Sequence, residues 1–495
     1  MTATHRSTRT ELRAAFALRL STLYGTEVPA YTTLVEVSTE VNERVLRREG
    51  AKAERLGSID RVTAERHGAI RVGSPAEMAQ VARVFGALGM HPCGFYDLRD
   101  AAPQPIPVVS TAFRPLDRTE LAANPFRVFT SMLVPEDRRF FDPDLEARLR
   151  RFLDARRLFP DELLILADRA VEYGELGAGD TERFLELATA AFALSPEPVD
   201  RAWYDELERV SAVAADIGGV ASTHVNHLTP RVLDIDDLYV SMRRRGIEMI
   251  DQIQGPPRWE GPDLLLRQTS FRALSEPRTF REPDGTLSRG ALRVRFGEVE
   301  ARGIALTAEG RALYDRLVQE VDLRRAAVDG TSGGDVAAQV WRENVPATEL
   351  ELCRRGLGFF TYLPSAAVVA RTVGDRQRSA LDSGSLGDWL DSGVVDPAPI
   401  VYEDFLPRSA AGIFASNLTD RGSMDADQGG AERDLDWMSE VVGAQVAVPE
   451  DVYAAQSRAS LEAAANALGR PVPSGWGAAT ATYRGPSTVT DYPGP

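Results

Sequence analysis

Apolar residues recur every three or four positions through 13–25 and 33–50, the spacing of helices that bury one face, so residues 1–60 are predicted as a mostly helical lead-in. The pattern changes at His67, where HGAIRV (67–72) is a short apolar run of strand type. The run at 75–90, PAEMAQVARVFGALGM, returns to helical spacing, with Ser74 placed to cap it and Pro75 suited to its first turn. Three more strand-like runs follow at 94–98, 107–113 and 126–134, which makes residues 61–134 a βαβββ unit able to curve around a site. Residues 135–218 hold four helical segments separated by Pro and Gly breaks, predicted as an insertion. The βαβββ order then returns over 219–306: a strand carrying His227, a helix at 234–249, a strand at 263–274 and a closing strand at 291–306. Residues 307–420 open with a helix and turn mixed, and the apolar, aromatic stretch 399–418 is expected to pack back on the core. From 421 to 495 the chain is rich in Gly, Ser, Thr and Pro and is expected to be a tail, helical only around 450–469 and without order over its last 25 residues.

The two units share more than their order of elements. His67 and His227 are each followed by an arginine at +4, Arg71 and Arg231, and a valine at +5. The expected fold is therefore α+β, with two βαβββ modules forming one central curved sheet and large helical insertions around it. A lone histidine is more often a structural residue than a ligand, and His5 and His91 are read that way. His67 and His227 escape that reading because the same local pattern surrounds both, and equivalent strands of a duplicated module can bring equivalent histidines to one ion. His224 competes with His227, but an odd separation within a strand puts the two on opposite faces. The repeat register selects His227.

Two imidazoles and one carboxylate leave coordination positions open, which suits Fe(II), O2 and a chelating substrate. Glu298 and Glu300, on the closing strand of the second unit, share one face, and spacing does not choose between them.

Composition narrows the partners. The net charge is 57 − 73 = −16, which opposes nucleic acid and anionic membranes, so an anionic ligand must be held by locally placed arginines. The two cysteines, Cys93 and Cys353, are far apart and fit neither a disulfide framework nor a thiolate zinc site. No apolar run approaches the roughly 20 residues that cross a bilayer. The first residues lack a signal peptide's apolar middle, and a soluble cytoplasmic protein is expected.

Together RHGAIRVGS, HVNHLTPRVLDID, FGEVEARGIALT and PIVYEDFLPRSAAGIF resemble the bacterial 2-oxoadipate dioxygenase/decarboxylase family, also called D-2-hydroxyglutarate synthases, of the vicinal-oxygen-chelate superfamily. The resemblance covers about residues 10–420. It implies Fe(II) held by His67, His227 and a glutamate. Related 2-oxoacid dioxygenases place the ligand glutamate four positions before a basic residue, which favours Glu298, followed by Arg302, over Glu300. It also implies that Arg71 clamps the substrate, with a further contact near Val401. The residues agree on Arg71: positions 67 and 71 face the same side of a strand, about 13 Å apart, so a guanidinium there could grip the far carboxylate of a chelated dicarboxylate. Arg231 holds the equivalent place in the second unit, and Arg267 and Ser270 are weaker candidates. The implied reaction converts 2-oxoadipate and O2 to 2-hydroxyglutarate and CO2 in lysine breakdown. The competing readings are a non-oxidative metal isomerase or lyase on the same scaffold, and a non-catalytic small-molecule-binding protein.

Overall fold

The computed structural model describes residues 6–101, 105–293, 295–327, 333–370, 374–406, 424 and 428–475. The chain is an α+β protein built on a five-stranded mixed sheet. In spatial order its strands are His91–Asp97, Val108–Arg114, Arg127–Leu133, Arg66–Val72 and His227–Pro230. Arg66–Val72 runs parallel to Arg127–Leu133 and antiparallel to His227–Pro230, so the two histidine strands are neighbours. Beyond them the line of strands continues. Arg231 bridges Glu300 in parallel, and the Val232 N–H donates to the Glu300 carbonyl at 2.8 Å. Gly297–Arg302 then pairs antiparallel with Leu266–Phe271, and Met249 and Gln254 bridge the outer side of that pair.

Alternation sends each strand's residues to two buried faces. Ile70 and Val72 pack with Val109, Phe113, Val128 and Met132 beneath the helices Arg9–Glu27, Pro29–Glu49 and Pro75–Ala87. Ala69, Ala112, Phe129 and Leu133 lie on the other face, with the helices Pro143–Ala155, Arg201–Val210 and Ala212–Gly218. With both faces covered, any polar side chain on either one is buried and must find a partner inside. Among the described residues no helix is long and apolar enough to cross a membrane.

Most predicted elements are present. Ser74 caps its helix by accepting from the Glu77 N–H at 3.3 Å. Three differences have local causes. The strand expected at 94–98 already opens at His91, and it is irregular at Gly94, whose φ of +78° and contact with the Tyr96 ring suit a residue without a Cβ. The expected closing strand 291–306 is divided. Leu287–Leu292 belongs to a hairpin with Glu276–Arg281, turned at Asp284–Gly285, and only Gly297–Arg302 continues the sheet line. The segment expected as a tail supplies the helix Pro449–Ala467, which buries Tyr453, Leu461, Ala464 and Ala465 against Trp389, Leu390 and Tyr402 in the cluster around Ile304 and Leu306. Of the 399–418 stretch, residues 400–406 are buried and 407–418 lie outside the described residues.

Candidate metal centre

His67, His227 and Glu298 converge from three successive strands. Register explains it: Ala69 pairs with His227 and Thr229 with His67, which puts the two imidazoles on one face as diagonal neighbours. Their ring centroids are 5.3 Å apart at 89°. Glu298 points into the same space, with Oε2 3.1 Å from His227 Nδ1 and 3.5 Å from His67 Nε2. One ligand atom from each of the three residues lies within 4.8 Å of the others, and all three residues are buried. His224 is outside this group. It precedes the strand and turns to Asp216, at 3.3 Å from Nε2 to Oδ1.

The electrostatics suit a cation. Burial disfavours the Glu298 charge, but His227 and then His67 outweigh it and hold the carboxyl down to about 2. Burial, only partly offset by Glu298, lowers the His227 pKa and favours the neutral imidazole a metal needs. At His67 burial also opposes the cation, yet Glu300 and Glu298 prevail and raise the pKa. A divalent ion would take over the charge balance that these imidazoles now share.

Glu300 shares the inward face with Glu298, as its spacing requires, but serves differently. Its Oε2 lies 3.0 Å from His67 Nδ1, on the opposite side of the ring from Glu298. Its Oε1 accepts from Arg302 Nε at 2.6 Å and is 3.5 Å from Arg127 Nη1. Arg127 also pairs with Glu65 and with Glu403, the latter at 2.9 Å, and Arg231 closes on Glu65 at 3.0 Å. A fully buried ionic network therefore stands behind His67. Arg231 belongs to it, with its second nitrogen donating to the Leu56 carbonyl at 2.9 Å. Arg267 pairs with Asp236 at 2.6 Å. Ser270 is buried opposite Glu298 on the neighbouring strand.

Arg71 lies on the His67 face, buried, and donates to Asp216 of the helix Ala212–Gly218. Asp216 is held in turn by the Asn226 amide at 3.0 Å and by His224. Burial opposes the Asp216 charge, but His224 and Arg71 hold its pKa well below the usual range. The Arg71 charge is also felt at His227, where it helps lower the pKa. Asp216 was not marked by the sequence, because ADIGG carries no pattern that points toward a strand 145 residues earlier.

A family model described as 2-oxoadipate dioxygenase/decarboxylase matches residues 16–417. The chain belongs to the 2-oxoadipate dioxygenase/decarboxylase family. A relative of that name from Mycobacterium bovis is 54% identical over 444 residues, covering 90% of this chain and 95% of the relative. Another from Pseudomonas putida is 36% identical over 464 residues, covering 92% and 97%. The crystal structure of the hydroxyglutarate synthase from Pseudomonas putida in complex with 2-oxoadipate matches with a TM-score of 0.78 at 35% identity, covering 94% of this chain and 100% of that one. This family member is accordingly an enzyme, a 2-oxoadipate dioxygenase/decarboxylase, which sets aside the non-oxidative and non-catalytic readings.

In this enzyme the segment 400–406 lies over the triad. Val401 is buried, bridged through its backbone to Ile304, and belongs to the same apolar cluster as Leu306 and Tyr402. Glu403 pairs with Arg61 and Arg127, and Asp404 accepts from Arg114 at 2.9 and 3.0 Å. These buried pairs bring the Phe405 ring to 4.9 Å from both His67 and Phe129, while Phe296 lies 5.4 Å from His227. Tyr453, from the C-terminal helix, locks the segment by donating to Asp404 and accepting from the Glu403 N–H at 2.7 Å. Tyr453→Phe removes a hydrogen bond to a buried carboxylate and is expected to destabilise the fold by about 1.5–3 kcal/mol. Urea unfolding checks this, and an unchanged midpoint would show that the lock lies elsewhere.

Proposed function

We propose that the enzyme converts 2-oxoadipate and O2 to 2-hydroxyglutarate and CO2 at an Fe(II) ion held by His67, His227 and Glu298, in the cytoplasm and as a step of lysine catabolism. The observation that carries this reading is the convergence of two imidazoles and one carboxylate from three adjacent strands into a single buried group. That donor set is the facial one used by non-haem Fe(II) oxygenases. When bound, the metal supplies open positions for a 2-oxo acid chelate and for O2. One oxygen atom ends in the new carboxylate and the other in the hydroxyl, so no external reductant is consumed.

The protein's own part is positioning and exclusion. Arg71, presented on the His67 face and oriented by Asp216, takes the substrate's distal carboxylate, which would otherwise be buried without a partner. Val401 supports the substrate from the segment that crosses the site. Phe405, Phe129 and Phe296 surround the imidazoles and keep water from the reacting centre. Two buried cysteines without a disulfide between them fit a reducing compartment.

The same reading takes residues 61–134 and 219–306 as two βαβββ modules, flanked by the lead-in 1–60, the insertion 135–218 and the segments 307–420 and 421–495. In its support, each histidine strand runs parallel to the last strand of its own unit, and that last strand pairs antiparallel with an earlier strand of the unit, Val108–Arg114 in the first and Leu266–Phe271 in the second.

The test is gas exchange. Protein loaded anaerobically with Fe(II) and given 2-oxoadipate should consume one O2 for each CO2 released and accumulate 2-hydroxyglutarate. Decarboxylation that proceeds without O2 uptake would end this reading.

A further inference from the structure

Glu300 is too well placed to be a bystander, and it is not a member of the triad. Its Oε2 and His67 Nδ1 lie 3.0 Å apart, and neither atom has a hydrogen-bond partner elsewhere or an aligned hydrogen bond to the other among the described residues. Both residues are buried, Glu300 with no exposure at all. Two such polar atoms, sealed from water and left to one another, must satisfy each other or go unsatisfied.

The other side of the imidazole is committed. His67 Nε2 is the nitrogen that faces Glu298, 3.5 Å away. The other oxygen of Glu300 is occupied by Arg302 at 2.6 Å, with Arg127 at 3.5 Å, and Arg302 also donates to the Tyr402 carbonyl at 2.7 Å. Glu300 is therefore anchored by arginines on one edge and offers a single acceptor to His67 on the other.

We infer that Glu300 is a positioning residue for the metal site: it accepts the Nδ1 proton of His67, fixes that tautomer and ring orientation, and so presents the Nε2 lone pair to the metal. The inference rests on the triad reading above and goes beyond it, since it gives the second glutamate of the Glu298-Val299-Glu300 run a distinct task. A carboxylate behind a ligand histidine raises the basicity of the ligand and removes the cost of selecting one tautomer on binding. Arg302 and Arg127, on the far edge of Glu300, hold the carboxylate in that place.

The test is a titration of the metal-free full-length protein with Co(II) alone, read by visible absorption, beside Glu298→Ala as a control. Glu300→Ala should weaken Co(II) binding by about 10- to 100-fold and shift the d–d bands, because outer partners of ligand histidines are typically worth that much. Glu300→Gln keeps the volume and an accepting oxygen, and should fall between alanine and wild type. It also carries the test if the alanine variant does not fold. In wild type the imidazole 15N shifts of His67 should place its proton on Nδ1, and in Glu300→Ala they should show a tautomer mixture. Co(II) affinity and spectrum unchanged within twofold in both variants, with Glu298→Ala still impaired, would overturn the role of Glu300 and leave the triad standing. If Glu298→Ala binds Co(II) like wild type, the triad reading itself fails.

Discussion

Glu298→Ala is expected to abolish O2 uptake with 2-oxoadipate and to reduce metal affinity by more than the roughly 10- to 100-fold that outer partners are worth. Among the triad it is the carboxylate that faces both imidazoles, at 3.1 Å from His227 and 3.5 Å from His67. It is also ionised well below neutral pH, held down to about 2 by those imidazoles against burial. Removing it takes away one ligand atom and the one negative charge shared by both histidines. The fold should persist, since both imidazoles can be neutral without it, and near-UV circular dichroism checks that. The measurement is isothermal titration with Fe(II) under anaerobic conditions, followed by oxygen-electrode assays. A variant within threefold of wild type in affinity would exclude Glu298 as a ligand.

Arg71→Met should separate substrate recognition from metal binding. A buried guanidinium that meets a carboxylate is worth about 2–5 kcal/mol on truncation, which is a loss in kcat/KM on the order of 30- to 5,000-fold. The loss should be confined to dicarboxylates. For 2-oxohexanoate, which has no distal charge, kcat/KM should change by less than about tenfold, because the chelating end of the molecule is untouched. Fe(II) affinity should stay within threefold of wild type. Asp216 gives the experiment its internal check, since in the variant its charge faces the incoming carboxylate without Arg71 between them. Equal losses for both substrates would mean that Arg71 supports the fold and not the grip.

Much of this was legible before folding. Strand alternation put His67 with Arg71, and Glu298 with Glu300, on common faces, and the repeated +4 arginine and +5 valine marked out His67 and His227 over the other histidines. Alternation left room for only one of His224 and His227 and the repeat register selected His227; the structure adds that His224 is not in the strand at all but turned to Asp216. The same logic also marked Arg231. Its place in the repeat matches that of Arg71, yet Arg231 meets Glu65 in the buried network behind His67 where Arg71 meets Asp216. The Asp284–Gly285 turn is a local hairpin signal, but a largely polar, exposed hairpin carries little apolar pattern to announce its strands.

Residue type and spacing by themselves determined which side chains could share a face and which carried the chemistry, because the period of two along a strand is a local property of the backbone. The tertiary structure decided what met across the interior: Asp216 behind Arg71, Arg127 behind Glu300, and Tyr453 on the segment that brings Phe405 to His67. Those choices depend on which elements pack together, and no residue's own neighbours in the chain encode them. A polar group sealed inside must be satisfied by whatever the fold brings to it, and that partner can come from hundreds of residues away.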